Sequence, residues 1–403
     1  MERQARNDKA CAVLVDESTW RSQEMRVRSL MLVLFALLAM TSSAAADPPK
    51  IVKIVAGPWQ ACALASSGNL YCWQVAFPDR HFRLEAKRVT GVPALKDLDI
   101  GAQGLSCGID VAGSLICWHS YFEDAAGGYK PSSVYQRSPF TLPIAKGHAL
   151  TRVAVGFAHV CALDAGGDLW CAGNNSDGEL GTGDSEGRDE MRKVPGLPAL
   201  IAFDAGINNT CAISRPGDVW CWGTDSPVAN HPMIVNSKVP LQITGPKSLL
   251  QIQDGRNSMC AISSEPSVYC WGDNILGQLG VPNAEMKGRL FAVVDRPMDQ
   301  PVLSLSSGMF SSCIVLQDGA VECWGVWGPS GPTASGVPHI VYDPQRKSLP
   351  LPARSVAVSS ADDKACALLS DGSIWCWGYK RGSDMDAKPP FVDEPWQIML
   401  PEE

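Results

Sequence analysis

Fourteen of the fifteen cysteines in this 403-residue chain fall into seven pairs, and the two members of every pair stand ten positions apart. The pairs are Cys62 and Cys72, Cys107 and Cys117, Cys161 and Cys171, Cys211 and Cys221, Cys260 and Cys270, Cys313 and Cys323, and Cys366 and Cys376. Successive pairs begin 45, 54, 50, 49, 53 and 53 residues apart, so the chain repeats with a period near fifty. Self-similarity at that period marks a solenoid or a propeller.

Each unit follows one grammar. A short extended run ends at or near glycine, as in Ile54-Val55-Ala56-Gly57. A Cys with small and apolar neighbours comes next, then a turn, then a second apolar run that ends in Cys-Trp. Runs this short, bounded by Gly, Pro and Ser, read as strands rather than helices. A further extended segment closes the unit, such as Leu241-Gln242-Ile243 or the run from Trp396 to Leu400. Four strands per unit, repeated seven times, predict an all-β chain folded as a seven-bladed β-propeller.

The hairpin register follows from the spacing. If Cys62 faces Cys72 across an antiparallel pair, the loop is Ser66-Ser67-Gly68. A three-residue hairpin loop needs a left-handed residue in last place, which glycine adopts without steric cost. Gly113, Gly167, Gly217, Gly319 and Gly372 occupy that place in other units. The fifth unit has Pro266 there, so its turn must differ. In this register the two cysteines form a non-hydrogen-bonded pair with Cα atoms ~4.5 Å apart, at the short end of the range for a disulfide. Seven disulfides are therefore expected, each worth roughly 2–3 kcal/mol for the short loop it closes. Buried free thiols are the simpler alternative. A zinc site would need cysteines two to four positions apart, a spacing absent here.

Trp73, Trp118, Trp222, Trp271, Trp324 and Trp377 each follow the second cysteine, and the third unit has Ala172 instead. Tyr71, Trp170, Trp220, Tyr269 and Trp375 precede it. Neighbours on a strand point to opposite faces, so these aromatics lie on the other side of the blade from the sulfur. Stacked blades bury both sides. The rings are expected to form core between blades rather than a ladder for sugars.

Residues 25–46 read as an export signal. Arg26 and Arg28 precede an apolar run from Leu30 to Met40, and Ala44-Ala45-Ala46 supplies the small residues before a cleavage point. That run is too short to span a bilayer, so no stable membrane span is expected. Residues 1–24 carry mixed charge without an apolar period. They are read as a leader outside the folded protein, with Met25 as the true start, and the propeller is placed at 47–403. Removing the leader also removes Cys11, and an oxidising compartment permits the disulfides.

At this point the chain resembles the regulator of chromosome condensation repeat family, in a secreted bacterial form that carries cysteines. The third unit, from Gly156 through His159 and Cys161 to Leu163, is similar to the family's Gly-x-x-His opening. Its continuation Asn174-Asn175-Ser176-Asp177-Gly178-Glu179-Leu180-Gly181 is similar to the family's Asn-x-x-x-Gly-Gln-Leu-Gly turn. Asn274 to Gly280 preserves that turn in the fifth unit. The other five units lack most of it, and only His159 retains the family histidine. The resemblance spans residues 51–400 and implies a seven-bladed disc. The family's namesake exchanges nucleotide on a nuclear GTPase and binds chromatin, partners that an exported acidic chain would not meet. A secreted propeller that inhibits β-lactamase, gripping a protein with loops on one face, is the nearer functional analogue.

Function classes narrow further by exclusion. With 34 basic against 42 acidic residues the chain is at −8, without the basic balance of a nucleic-acid binder. The six histidines (81, 119, 148, 159, 231 and 339) show no metal-protease pair. There is no Gly-x-Ser-x-Gly nucleophile turn, and the paired cysteines leave no reactive thiol. Asn174 to Glu179 lacks the residue order of a calcium loop, and Asp362-Asp363 reads as a solvated pair. No enzyme activity, cofactor or metal is expected. The long connections after each Cys-Trp run leave from equivalent strand ends and should gather on one face. Spans 118–140 and 173–191 stand out, with Tyr121, Phe122, Tyr129, Tyr135, Arg188 and Arg192 as candidate partner-binding residues, because tyrosine on adaptable loops suits protein recognition. The expectation is an exported monomer, non-enzymatic, that binds a protein or other cell-surface macromolecule. An exported carbohydrate-binding or carbohydrate-active propeller is the alternative.

Overall fold

The computed structural model describes residues 48–401 apart from 59, 75–84, 120–139, 146, 227–234, 244–246, 256–257, 275, 283–293, 327–339, 359–363 and 379–394. The leader and the expected signal therefore lie outside the described residues, as do Tyr121, Phe122, Tyr129 and Tyr135. Residues Pro49–Pro401 form one compact unit.

That unit is a seven-bladed propeller. Every blade is an antiparallel meander of four consecutive strands, and among the described residues no strand is exchanged between blades. Blade one comprises Ile51–Ala56, Gln60–Ala65, Leu70–Gln74 and Lys87–Arg88, from the axis outward. Blades two to seven span 95–141, 150–193, 200–243, 249–297, 302–346 and 353–398. The innermost strands touch in ring order, and that of blade seven meets that of blade one. Ile51–Ala56 and Trp396–Ile398 do not share a blade. Their side chains meet in one apolar cluster, and Ala86 N–H donates to the Met399 carbonyl at 2.8 Å across the seam.

The hairpin register is the expected one. Cys faces Cys in all seven blades, and all seven pairs are disulfides with Cα atoms 4.0–4.2 Å apart. Gly68, Gly113, Gly167, Gly217, Gly319 and Gly372 have φ between +81° and +92°. The fifth hairpin differs as expected: Ser267 N–H closes onto the Glu265 carbonyl, with Pro266 between.

The described buried residues divide into seven apolar clusters, one at each junction between blades. In each, the disulfide of one blade meets the aromatic side of the next. Cys62 and Cys72 pack with Trp118, Cys161 and Cys171 with Trp222, and Cys211 and Cys221 with Trp271. Cys260 and Cys270 meet Trp324, Cys313 and Cys323 meet Trp377, and Cys366 and Cys376 close the ring against Trp73. Where Ala172 stands in place of Trp, the junction is filled by Trp170, Met191 and the half-buried Phe140. The six Trp rings are at most 7 % exposed, so none offers a face for stacking a sugar. The aromatics before the second cysteine divide: Tyr71 and Trp170 are buried, whereas Trp220, Tyr269 and Trp375 are only partly covered.

An innermost strand is a sheet edge, and its outward N–H groups need acceptors. Side chains of the preceding blade supply several. Asp99 accepts from Val155 N–H at 2.7 Å, Asp204 from Asp254 N–H at 2.7 Å, and Ser306 from Val358 N–H at 2.9 Å. Asp97 accepts from Val153 N–H at 2.8 Å and from Lys53 Nζ at 2.6 Å.

Candidate functional site

The meander puts both the turns between first and second strands and the long connections between third and fourth strands at one end of every blade. One end of the ring therefore carries those turns nearer the axis and, farther out, the strand ends from which the connections leave. Residues 174–187 of blade three and the start of the blade-five connection show how such a loop is built.

In blade three the loop 174–187 is held from within. The Asn175 side chain is fully buried; its Oδ1 accepts from Leu180 N–H at 2.9 Å and its amide donates to Asp184 Oδ1 at 2.8 Å. The buried Glu179 carboxylate accepts from Asn174 at 2.5 Å and from Asp177 N–H at 2.9 Å. Both acidic groups of the calcium-like run are thus engaged within the chain: Glu179 as above, and Asp177 by Thr224 Oγ1 at 2.9 Å. Among the described residues no cluster of ligand-type side chains could hold a metal.

The same loop locks the next blade. Its Glu179 carbonyl accepts from Trp222 Nε1 at 2.8 Å and from Thr210 Oγ1 at 2.9 Å. Thr210 in turn meets His159 Nε2 at 3.0 Å. Gly181, at φ +69°, lies so close over the Trp222 ring that a Cβ would sit 2.7 Å from Nε1. Burial lowers the His159 pKa to about 4, so the ring is neutral in its seam. Blade five repeats the device: the Gln278 carbonyl accepts from Trp324 Nε1 at 2.8 Å, with Asn274 Oδ1 accepting from Leu279 N–H at 2.9 Å.

Arg188 and Arg192 both lie on Arg188–Lys193, the outermost strand of blade three. Arg188 is tied back to Asp184 at 2.6 Å and to Glu186 at 3.3 Å, which leaves its side chain 22 % exposed. Arg192 pairs with Glu190 and keeps an open side chain. The structure thus gives Arg188 a role in shaping the loop and leaves Arg192 on the surface.

Sequence reasoning missed the centre of this face. A cavity of about 50 Å³ opens there, lined by Val155, Ala205, Ile207, Met309, Asp254 and the glycines between first and second strands. Burial, and then the charge of Asp99, pushes the Asp204 carboxyl up to about 7. Burial and Asp204 together hold Asp254, which has Asn209 beside it, well above the usual carboxylate range. Burial likewise raises Asp99, against the pull of Lys53. No spacing in the sequence marks these acids, because they belong together only after the ring has closed.

Residues 150–179, the third unit, match the sequence profile of the Regulator of chromosome condensation (RCC1) repeat. Among solved structures the chain is similar to Prp20p from Saccharomyces cerevisiae, at 18 % identity and a TM-score of 0.59 over 76 % of this chain and 80 % of that one. It is similar to human WBSCR16 at 16 % identity and a TM-score of 0.62, over 80 % and 86 % of the two chains. The CRINKLY WD40 ectodomain of the Arabidopsis thaliana receptor kinase ACR4 superposes with a TM-score of 0.51 at 19 % identity, over 85 % and 99 %. These likenesses agree with the strand count, the ring order and the third-unit motif. The chain is therefore a seven-bladed propeller with one disulfide hairpin in every blade, similar in fold to these proteins and matching the RCC1 repeat in its third unit.

Proposed function

We propose that this propeller is an exported, non-enzymatic binding protein that captures a protein partner through the face carrying its long connections. One observation carries the reading. Disulfides and interlocked Trp rings hold seven blades rigid, while seven connections of variable sequence leave that ring at one face. A described member of the set, 174–187, is fixed by its own hydrogen bonds, so its ordering cost is met before any partner arrives. Prp20p has binding properties to Gsp1p and histones, and Kap60 is found bound to yeast RCC1 (Prp20). A protein of this fold thus has protein partners, which supports a protein partner here. Seven disulfides suit an oxidising extracellular setting, and among the described residues no helix is long and apolar enough to cross a membrane.

Deleting residues 121–135 tests the site. Affinity capture with the oxidised chain from culture medium and envelope fractions should recover a specific protein that the deletion variant loses, with unchanged near-ultraviolet circular dichroism. Equal recovery by both would remove that loop from the site, and recovery of glycans alone would favour a carbohydrate binder.

A further inference from the structure

The opposite face has a feature of its own. In all seven blades the innermost strand is bulged at its second residue: Val52, Lys96, Thr151, Ile201, Leu250, Leu303 and Arg354. A bulge takes a residue out of the ladder and re-aims its side chain. These positions are equivalent in the repeat, so they ring the axis at the end that also carries the disulfide hairpin turns.

Blades four, five and six are consecutive, and there the ring shows Ile201, Leu250 and Leu303. Leu250 and Leu303 are 52 % and 53 % exposed, and Ile201 is half-buried. Exposed aliphatics scattered singly are ordinary, whereas an arc of them at equivalent positions marks a contact surface. A cation stands at each end of the arc. Arg152 of blade three reaches across to donate to the Ile201 carbonyl at 3.3 Å, and the exposed Arg354 of blade seven donates to the Ser370 carbonyl, with Asp371 within its field. Exposed Lys96 follows on blade two. Among the second and third residues of the seven strands the only carboxylate is Asp97, which is buried and held by Lys53 and Val153 N–H. The crescent formed by these strand residues is therefore apolar and cationic on a chain of net charge −8, and the exposed acids of this end, Glu265, Asp318 and Asp371, stand outside it on the hairpin turns.

We infer that this crescent is a second docking surface, for an acidic segment of a partner protein. Aliphatic side chains of that segment cover Ile201, Leu250 and Leu303, and its carboxylates meet Arg152 and Arg354. Guanidinium groups bind carboxylates in bidentate fashion, and an aliphatic arc between them offers a phosphate backbone nothing. The surface lies away from the loop face, so it stands or falls independently of the function proposed above.

Panning a phage-displayed library of random peptides against the oxidised full chain tests the inference. The enriched peptides should combine Asp or Glu with Leu, Ile or Val. Their affinity should drop about tenfold or more in an Arg152→Gln/Arg354→Gln variant and in a Leu250→Ser/Leu303→Ser variant, and should weaken with added salt as exposed charges are screened. The 121–135 deletion should leave it unchanged. All four substituted positions are at the surface, and circular dichroism checks that the ring is intact. Peptides without acidic residues, or equal binding to all variants, would overturn the proposal. So would sedimentation that shows the chain pairing with itself and the serine variant dissolving that pair.

Discussion

Asp204 shows how much one side chain can carry in a ring. Its carboxyl accepts the Asp254 N–H and thereby ties blade four to blade five, yet it is held up to about 7 by burial. A carboxyl raised in the folded state binds its proton more tightly there than in the unfolded chain. Its contribution to stability is whole below the ordinary value near 4 and is lost as pH rises to about 7, a change on the order of a few kcal/mol. His159 works in the opposite sense: with its pKa lowered to about 4, stability is lost as pH falls below about 6.5. Asp204→Asn keeps an oxygen for the Asp254 N–H and removes the titration. Urea unfolding at pH 5 and pH 8 should show a smaller difference in this variant than in the parent, and a more stable protein at pH 8. Parallel profiles for the two chains would mean that Asp204 is not the titrating group. Nothing in the alternation of Leu200–Ala205 reveals this acid, since its surroundings come from blades two and five.

Single elements were more legible. The turn motif is readable in the third and fifth units, and it is in blades four and six, each the next around the ring, that the indole N–H finds a carbonyl. Trp73, Trp271 and Trp377 follow units without the motif, and their buried Nε1 atoms have no hydrogen-bond partner among the described residues. Phenylalanine at Trp324 or Trp271 removes similar volume from both junctions, but only at Trp324 does it also remove a hydrogen bond. Trp324→Phe should therefore be the more destabilising change by about 1 kcal/mol, measured as the difference in unfolding free energy. Equal losses would show that the bond to Gln278 contributes no net stability. The bulge in every innermost strand is the element-level feature that the sequence concealed. Residues such as Val52 and Leu250 fit a regular strand as well as a bulged one, and only pairing with the second strand displaces them.

For the whole molecule the disulfides act locally and the ring acts globally. Each bond closes a hairpin within one blade, so removing one with Cys313→Ser/Cys323→Ser should cost roughly 2–3 kcal/mol and leave the fold intact. Chemical denaturation of the oxidised variant would reveal this as a lower midpoint, and an unchanged midpoint would place the stability of the ring elsewhere. The same removal in two adjacent blades should not be additive, because each sulfur pair packs on the Trp of the next blade.

The cysteine spacing by itself determined the number of blades, the hairpin register and the side of each sheet on which sulfur and indole lie. These depend on a two-residue alternation and a ten-residue interval that any strand pair must obey. Tertiary structure alone decided that blades seven and one meet through apolar packing and a main-chain hydrogen bond, that acids gather at one end of the axis, and that cations flank an apolar arc at the other. Those groups sit about fifty or more residues apart in the chain. They become neighbours only through a circular arrangement that no local pattern encodes.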